Sequence, residues 1–327
     1  MKARLGRGAR AIQPNGESMN HSTVSVQAAI SASPTVTAIG ISVIILTHDE
    51  ESNIRGCLES VAWSDDVIVV DSFSNDGTIA AARSCRPTVR VFENAFKDFG
   101  QQRNWALDHT SPRHAWILFL DADERITATC SAEMARAVDQ PGGHVGYFLC
   151  GRNFFLGRWV RHCQLFPSWQ LRLLKRGEVR YRKEGHGQRE VTEGPLGYIR
   201  EPYDHLTFSK GVAEWLGRHN RYSTHEIELI QRLRTEPMNP KSLFHRDPVE
   251  RRRCLKTLAA RLPCRPLFRF LYGYVIRCGF LDGRAGLVLC LLRFAQDIDT
   301  MAKLAEMKAI EQGMPPDHGP TKRQAHS

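Results

Sequence analysis

Hydrophobic and polar residues alternate in blocks along the first third of the chain. Segments 41–47 and 66–71 are apolar and largely β-branched, which is typical of strands buried on both faces of a parallel sheet. Segment 116–120 has the same character, and 89–92 is a shorter example. We therefore predict four strands, and polar residues directly follow the first, second and fourth of them.

The segments between these strands are predicted to be helices. The first helix is expected after an acidic start at 49–51, because acidic side chains suit the positive end of the helix dipole. Its buried face is predicted from apolar residues three and four positions apart: Ile54, Cys57, Leu58 and Val61. A short helix through Ala82 and another over 98–108 complete an α/β pattern with a mostly parallel sheet.

Composition limits the class of protein. The chain has 327 residues, of which 42% are hydrophobic, so it can bury a core as one large domain or two small ones. Its apolar runs fall short of the roughly 18 residues that a membrane-spanning helix needs. Nine cysteines occur without a Cys-x-x-Cys pair, which argues against a disulfide framework and a zinc ribbon and favours reduced thiols in a cytosolic compartment.

Both ends of the chain are predicted to be disordered. Residues 1–40 are rich in Ser, Thr, Gly and Ala and carry basic residues, but they contain no continuous apolar stretch of the kind found in a secretory signal. Residues 313–327 are polar. We expect a folded domain at 41–243, in two halves, 41–125 and 126–243.

Positive charge is concentrated in a predicted basic amphipathic helical region, 244–312. Between His245 and Arg293 there are 11 Lys or Arg and three Asp or Glu, which accounts for +8 of the formal net charge of +10. This balance indicates an anionic partner such as a lipid surface. Two interpretations stay open: apolar blocks between arginines lie in a membrane interface, or they form a helical pair packed on the 41–243 domain, with its turn at 279–286.

Asp121-Ala-Asp123 follows the fourth predicted strand and is the sharpest chemical signal. Two carboxylates separated by one residue can bind one Mg²⁺ or Mn²⁺ and leave coordination positions open for substrate phosphates. Asp71 ends the second strand, where it either contributes to the same site or only caps the following turn. Segment 47–53, which follows the first strand, contains no glycine. A dinucleotide fingerprint and a P-loop both need glycine at this place, so both are excluded.

Four ordered segments carry a family resemblance. Residues 42–55, 69–78, 99–104 and 120–124 resemble the motifs of family 2 glycosyltransferases. The resemblance implies a GT-A fold, a nucleotide-sugar donor, a divalent cation and inversion at the anomeric carbon. More narrowly, the chain is similar to the bacterial group that builds lipopolysaccharide core and colanic-acid-type exopolysaccharide, on three further segments: 182–190, 215–223 and 279–286.

The resemblance also implies roles for individual residues. The nucleotide-sugar pocket is expected to be lined by Thr47, Glu50, Asp71, Arg103 and Asp121. In this assignment Asp71 faces the base, Asp121 lies near the ribose and the metal, and Asp123 is the main metal ligand. Members of the family commonly have Asn where this chain has Asp49, a mild departure that leaves the role of this position open.

The acceptor side is predicted from the second half of the domain. A carboxylate or histidine must accept the proton of the attacking hydroxyl, and the candidates are Glu184, His186 and Glu190, with Glu184 favoured. The alternative is that this glycine-broken segment is a solvated surface loop. Aromatic and basic residues alternate over 147–174 and are predicted to form an acceptor wall that includes Arg172, unless they are ordinary packing.

These observations together predict an inverting hexosyltransferase. The expected donor is a nucleotide-diphosphate sugar, with UDP-sugars favoured, and the expected acceptor is a saccharide or a lipid-linked saccharide in cell-envelope or exopolysaccharide synthesis. The enzyme is expected in the cytoplasm, peripherally bound to an anionic inner-membrane surface. The alternatives are a non-catalytic glycan- or lipid-binding scaffold and a nucleic-acid-binding protein; the latter leaves the strand-end carboxylates without a use, so no nucleic-acid partner is expected.

Overall fold

The computed structural model describes most of the chain beyond residue 38. The described residues are 39–184, 187–235 and 264–313, together with 237, 239, 254, 257, 258 and 260–262. All of them belong to the second of the chain's two units, Thr37–Ser327. The predicted disordered ends, 1–40 and 313–327, therefore lie almost wholly outside the described residues, as does the start of the predicted basic region, 244–253.

Four parallel strands form one half of the central sheet, in the order β3-β2-β1-β4. Their bounds are β1 Ile41–Thr47, β2 Val67–Asp71, β3 Arg90–Glu93 and β4 Trp116–Asp121. All four strands predicted from the apolar segments are thereby confirmed. Beyond β4 the order continues β8-β6-β12-β5, and β4 and β6 both run antiparallel to β8. The sheet is thus mixed, with parallel pairs predominating among the described strands.

The remaining strands are short or lie apart from the main parallel set. Those of the large sheet are β5 Glu124–Arg125, β6 Gly146–Phe155, β7 Arg158–Trp159, β8 Trp169–Lys175, β11 Leu196–Tyr198 and β12 Tyr203–His205. A separate antiparallel hairpin is formed by β9 Arg180–Glu184 and β10 Gly187–Val191. We call this pair the β9–β10 hairpin.

Helices cover both faces of the sheet. Their bounds are α1 Glu51–Ser60, α2 Thr78–Cys85, α3 Phe99–His109, α4 Ala128–Asp139, α5 Gly211–Thr235, α6 Arg265–Leu271 and α7 Gly283–Glu311. The first three agree with the predicted helices. The carboxylate of Asp98 accepts a hydrogen bond from the Gln101 N–H, which caps α3 at the residue where that helix was expected to start.

The two faces of β1 contribute to two separate cores. Val43 and Ile45 pack in one apolar cluster with Leu58 of α1, whereas Ile44 packs in a second cluster with Ala106 of α3. Successive side chains of a strand point to opposite faces, so a strand that is apolar throughout is buried on both. This arrangement leaves the carboxyl end of the sheet as the place where these strands carry polar residues.

The C-terminal region is helical, as predicted. α6 runs into a π-helical turn, Tyr272–Ile276, and a 3₁₀ turn, Gly279–Asp282, precedes α7. A Cβ atom on Gly286 would collide with the carbonyl oxygen of Gly279, which explains the glycines of this turn. No helix within the described ranges is long and apolar enough to cross a membrane.

Helix α7 packs on elements of the predicted 41–243 domain. It lies against α5, and its Ala285 and Leu289 share an apolar cluster with Phe155 and Val160 of the β6–β7 region. The carboxylate of Asp282 accepts hydrogen bonds from three successive backbone N–H groups, those of residues 161, 162 and 163. The interpretation of a helical pair packed on the domain is thus correct for α7.

Candidate active site

Three of the predicted site residues meet at the carboxyl edge of the sheet. In the strand register Thr47 of β1 lies beside Asp71 of β2, and Leu46 lies beside Asp121 of β4. The parallel pairing of β1 with both neighbours therefore brings these three polar strand ends together, as the sequence predicted.

Asp71 is buried and holds the turn after β2. Its carboxylate accepts hydrogen bonds from the N–H and the hydroxyl of Ser74, at 2.7 and 2.5 Å. The turn-capping role considered from the sequence is therefore present, and a contact with the base of a nucleotide stays a prediction. Among the described residues the neighbouring Thr47 hydroxyl is buried without a hydrogen-bond partner, and such a group costs free energy unless a ligand satisfies it.

Asp49 ties the loop after β1 to the turn after β2. Its backbone adopts a left-handed conformation, with φ of 54°. Its N–H donates to the Ser74 hydroxyl at 2.8 Å, and its carboxylate accepts from the Asn75 N–H at 2.7 Å. An asparagine side-chain oxygen can accept the same bond, and asparagine tolerates a left-handed backbone. The departure from the family's usual residue at this position is therefore mild in structural terms.

Asp121 is paired with two arginines. One carboxylate oxygen lies 2.8 Å from Nη2 of Arg172, and the other lies 3.4 Å from Nη2 of Arg103. Burial alone would raise the pKa of Asp121, but the Arg172 and Arg103 guanidinium groups outweigh it and hold that pKa well below its usual range. Asp121 is therefore ionised, and both of its oxygens face positive charge.

Glu124 lies beneath Asp121 and is fully buried. It accepts hydrogen bonds from the Asp121 N–H at 2.9 Å and from Nη2 of Arg172 at 2.5 Å. Burial raises the pKa of Glu124 to about 7, although the Arg172 charge acts against the shift. Glu124 and Arg172 thus fix the backbone and the side chain of Asp121.

The structure corrects the predicted place of Arg172. The sequence put this residue on the acceptor wall, but its side chain is only 4% exposed and lies between Asp121 and Glu124. Nε and Nη1 of Arg172 have no hydrogen-bond partner in the part of the chain that the structure describes. The signal that sequence analysis missed is an arginine inside the buried apolar run of β8, because a buried charge needs a charged partner.

Asp123 lies beside His205, a residue that the sequence did not single out. β12 pairs antiparallel with β5, which places His205 opposite Glu124 and brings its Nε2 to 3.4 Å from Oδ2 of Asp123. Burial would raise the pKa of Asp123, but the hydrogen bond and charge of His205 lower it. Burial would likewise lower the pKa of His205, but the Asp123 carboxylate raises it.

The Asp123–His205 pair is suited to bind a divalent cation that a substrate also contacts. A carboxylate oxygen and an imidazole nitrogen are ligands that Mn²⁺ accepts, and both side chains reach solvent, at 14% and 27% exposure. Within the described residues no group of three His, Cys, Asp or Glu side chains could hold a metal. A cation at Asp123 and His205 would therefore complete its coordination with phosphate oxygens and water, as Mg²⁺ and Mn²⁺ do in phosphate-binding enzymes.

Glu50 is tied to the loop before α5. Its carboxylate lies 2.6 Å from Nζ of Lys210 and also accepts a hydrogen bond of 2.6 Å from the Asn53 side-chain amide. Burial raises the pKa of Glu50, and the nearby Asp123 charge adds to the shift while Lys210 opposes it. Glu50 thus borders the Asp123 pair, and its place in the nucleotide pocket stays a prediction.

The β9–β10 hairpin is held against α3 next to Asp121. The side-chain amide of Asn104 donates to the Tyr181 carbonyl at 2.7 Å and accepts from the Tyr181 N–H at 3.0 Å. Arg103, the predicted nucleotide contact, donates from Nη1 to Oε1 of Gln188 at 2.8 Å. One arginine of α3 therefore contacts both the Asp121 carboxylate and the hairpin.

Two of the three candidate bases lie on this hairpin. Glu190 pairs with Tyr181 in the strand register and lies two residues from Gln188, so Glu190 and Gln188 point to the same face. Glu184 ends β9 and pairs with Gly187. His186 lies outside the described residues. The structure thus places Glu190 on the face that contacts Arg103.

Comparison with known proteins identifies the family. The family model for glycosyl transferase family 2 matches residues 42–207. The lipopolysaccharide core biosynthesis glycosyltransferase LpsC of Rhizobium meliloti (strain 1021) is 28% identical over 191 residues, which cover 56% of this chain and 69% of LpsC. The SPbeta prophage-derived glycosyltransferase SunS of Bacillus subtilis (strain 168) is 26% identical over 61% of this chain, but the match spans only 46% of SunS.

Solved structures show only a slight likeness. Mannosyltransferase PcManGT from Pyrobaculum calidifontis, solved with GDP-Man and Mn²⁺, has a TM-score of 0.42 and 17% identity, over 85% of this chain and 90% of that chain. This similarity is too low to bear on function.

The match to the family model covers the whole site. It begins with β1, ends two residues after β12, and includes each strand-end carboxylate and His205. The order of the four resembling segments along the chain is that of β1, β2, α3 and β4, the elements that build the carboxyl edge. This chain therefore belongs to glycosyl transferase family 2, and it is a glycosyltransferase with the α/β GT-A fold.

Proposed function

We propose that this glycosyltransferase moves a hexose, with inversion, from a nucleotide-diphosphate sugar to a saccharide or lipid-linked acceptor in cell-envelope or exopolysaccharide synthesis. A UDP-sugar is the favoured donor. The observation that carries the proposal is the meeting of Thr47, Asp71, Asp121 and the Asp123–His205 pair at one sheet edge, inside the segment that matches the family. The name of LpsC, a lipopolysaccharide core biosynthesis glycosyltransferase, supports the choice of pathway.

Donor binding uses the carboxyl edge of the sheet. Asp123 and His205 would hold a divalent cation, Mg²⁺ or Mn²⁺, against the diphosphate. When bound, such a cation offsets the negative charge that develops on the departing nucleoside diphosphate. Arg103 and Arg172 neutralise Asp121, so this carboxylate repels the donor phosphates less. The unpartnered Thr47 hydroxyl is available to the nucleotide.

Transfer with inversion needs a base on the acceptor side. The acceptor hydroxyl attacks the anomeric carbon opposite the leaving phosphate, and its proton passes to a carboxylate. Glu184 is the favoured base from the sequence, and Glu190 gains support from sharing a face with Gln188, which contacts Arg103. Both glutamates belong to the hairpin that Asn104 holds beside Asp121.

Replacing each glutamate by glutamine separates these two candidates. The change at the base is expected to lower kcat by roughly 10²–10⁴-fold while donor affinity stays nearly unchanged, because only proton transfer is lost. Glu193→Gln, an exposed residue just beyond β10, is the matched control and is expected to keep full activity. If Glu184→Gln and Glu190→Gln both keep wild-type kcat, neither glutamate is the base.

Nucleotide-sugar binding tests the proposed function as a whole. A ligand that binds only the folded protein raises its melting temperature, so UDP-hexoses and GDP-mannose are screened with and without Mn²⁺. We expect a metal-dependent rise with at least one UDP-hexose. A scaffold protein would show no such rise. A nucleic-acid-binding protein would instead bind polynucleotides with a steep dependence on salt and no response to nucleotide sugars.

The proposed site of action is the cytoplasmic face of the inner membrane, to which the enzyme binds peripherally. The support is a cluster of exposed apolar side chains between arginines in and after α6, such as Ile276 at 70% exposure. Peripheral binding would place the active site beside a lipid-linked acceptor. Since part of this attraction is electrostatic, high salt should release much of the protein from membranes.

A further inference from the structure

A ridge of large apolar side chains is exposed to solvent between α6 and α7. The apolar ridge consists of Leu267, Phe268, Leu271, Tyr272, Val275, Ile276, Phe280 and Leu281, each 43–70% exposed. Eight such residues lie within 15 positions of the chain, whereas single exposed apolar residues are normal on any protein. α7 buries Ala285 and Leu289 in an apolar cluster with Phe155 and Val160, whereas its exposed apolar residues, such as Leu291, Ile298 and Ile310, are spread along the helix. Exposed apolar residues are therefore densest in the ridge.

A cavity lined by three arginines opens beside the ridge. It has a volume of about 150 Å³, and its wall includes Arg269, Arg277 and Arg293 together with Phe270, Tyr272 and Cys290. Tyr272 belongs to both the cavity and the ridge. The cavity therefore joins a basic interior to an apolar outer surface, within a single structural feature.

The arginines of the cavity are only partly compensated. Arg269 pairs with the buried Asp297 at 2.7 Å, and Nη1 of Arg293 donates to the Cys163 carbonyl at 3.3 Å. Arg277 has no ion pair within the described part of the chain. Burial lowers the pKa of Arg293, and the charges of Arg269 and Arg277 lower it further. The three arginines of the cavity are paired with one carboxylate, so the cavity has an excess of positive charge that attracts an anion.

We propose that this cavity binds the phosphate of an anionic phospholipid while the apolar ridge enters the boundary between head groups and acyl chains. The proposal rests on the membrane location given above and names the residues and lipid chemistry that produce it. Arginines at headgroup level beside inserted Leu, Ile and Phe side chains are the usual composition of an interfacial surface. The cavity supplies a defined phosphate site, beyond the general attraction of a basic face.

Two other occupants fit the surface less well. A nucleic acid would neutralise the arginines but would leave eight apolar side chains in contact with water. A second copy of the chain on a two-fold axis would cover the ridge but would bring the two sets of arginines together, and like charges at close range repel. An anionic bilayer satisfies both the charge and the apolar surface.

Vesicle flotation tests the site with paired variants. The full-length protein is mixed with vesicles of phosphatidylcholine alone or of phosphatidylcholine with phosphatidylglycerol, and the bound fraction is measured. Arg277→Gln is expected to weaken binding to the anionic vesicles about fivefold, the usual worth of one basic residue at such a surface. Ile276→Ser is expected to weaken it by about tenfold or more, since an inserted apolar side chain is lost.

Matched controls remove a charge or an apolar side chain elsewhere. Arg83→Gln changes an exposed arginine of α2, and Ile310→Ser changes an exposed isoleucine near the end of α7. Both should bind anionic vesicles like the wild type. Binding of a UDP-hexose with Mn²⁺, measured without vesicles, should be the same for all four variants, which also shows that they are folded.

The outcomes separate this proposal from the proposed catalytic function. Loss of vesicle binding in Arg277→Gln and Ile276→Ser, with both controls intact, supports the phospholipid site even if no nucleotide sugar binds. Equal binding of Arg277→Gln and Arg83→Gln overturns it, as does equal binding of wild type to neutral and anionic vesicles. A loss of UDP-hexose binding in Arg277→Gln alone would also overturn it, because the cavity would then serve the donor.

Discussion

Arg172 lies between Asp121 and Glu124, and at the scale of single residues this triad determines how the site is held. All three groups lose water on folding, and the cost of removing a charge from water is repaid only when its partner is present. Arg172 keeps Asp121 ionised at the edge of the pocket and satisfies the fully buried Glu124. The residue that shapes the site electrostatically is therefore one that would contact the donor only indirectly.

Removal of Arg172 should unfold the site. Arg172→Met leaves Glu124 without its charged partner and Asp121 with only Arg103, and we expect a loss of about 3–5 kcal/mol in the free energy of unfolding, measured by urea denaturation. Adding Glu124→Gln should restore part of that loss, because the buried group is then neutral. Arg83→Met, at an exposed position, should change stability by less than about 0.5 kcal/mol. A loss under about 1 kcal/mol for Arg172→Met would contradict this account of the triad.

At the scale of elements, the β9–β10 hairpin is positioned by contacts with α3. Asn104 makes two hydrogen bonds to the backbone of Tyr181, and Arg103 makes one to Gln188. An exposed ion pair between Asp108 and Arg180, at 2.7 Å, joins the same two elements. The half-buried amide is the stronger link, because an exposed ion pair contributes little to stability.

Loss of the Asn104 amide should loosen the hairpin. Asn104→Ala leaves the N–H and C=O of Tyr181 without partners, at a cost of about 1–3 kcal/mol. We expect faster hydrogen exchange in β9 and β10 and a lower kcat, with donor affinity nearly unchanged. Asp108→Ala, which removes only the exposed ion pair, should leave exchange and kcat near wild type. Equal effects of the two substitutions would show that the amide does not position the hairpin.

At the scale of elements, the sequence determines some strands and their ends but not the pairings between distant segments. The apolar segments predict β1, β2 and β4 to within a residue, and their polar ends predict the positions of Thr47, Asp71 and Asp121, because parallel neighbours end at one edge. His205 and Arg172 reach the site through pairings between distant segments, β12 with β5 and β8 with β4. Local periodicity does not indicate such pairings. His205 was therefore missed, and Arg172 was assigned to the wrong place.

At the scale of the whole molecule, Asp282 links the C-terminal region to the catalytic domain. Its carboxylate accepts three backbone N–H bonds from 161–163 and a fourth from Nδ1 of His162 at 2.8 Å. Burial would raise the pKa of Asp282, but the hydrogen bonds from Cys163 and His162 hold it below the ordinary value of 3.8. The orientation of α6, the ridge and α7 on the domain therefore depends in part on one ionised carboxylate.

This linkage should depend on pH in a defined direction. The pKa of Asp282 is lower in the folded state, so the unfolded chain binds a proton at this carboxyl more tightly. The contribution of Asp282 to the free energy of unfolding is therefore full above pH 3.8 and is lost as the pH falls through the pKa of the folded state. Asp282→Asn should lower the free energy of unfolding by about 1.5–3 kcal/mol at neutral pH. The difference from wild type should shrink below pH 3.8. A difference in the free energy of unfolding that stays constant with pH would contradict this role of Asp282. Asp139→Asn, at an exposed position, serves as the control.

Calorimetric titration of UDP-hexose with Mn²⁺ tests the central claim, that Asp123 and His205 hold a metal against the donor diphosphate. The account predicts saturable, Mn²⁺-dependent binding to the wild-type protein and to Asp139→Asn, a control outside the site. It predicts a loss of at least about 100-fold in the metal-dependent affinity for Asp123→Asn and for His205→Ala, with unchanged thermal unfolding in the absence of ligand. Wild-type affinity for the donor in Asp123→Asn, with the same dependence on Mn²⁺, would contradict the account.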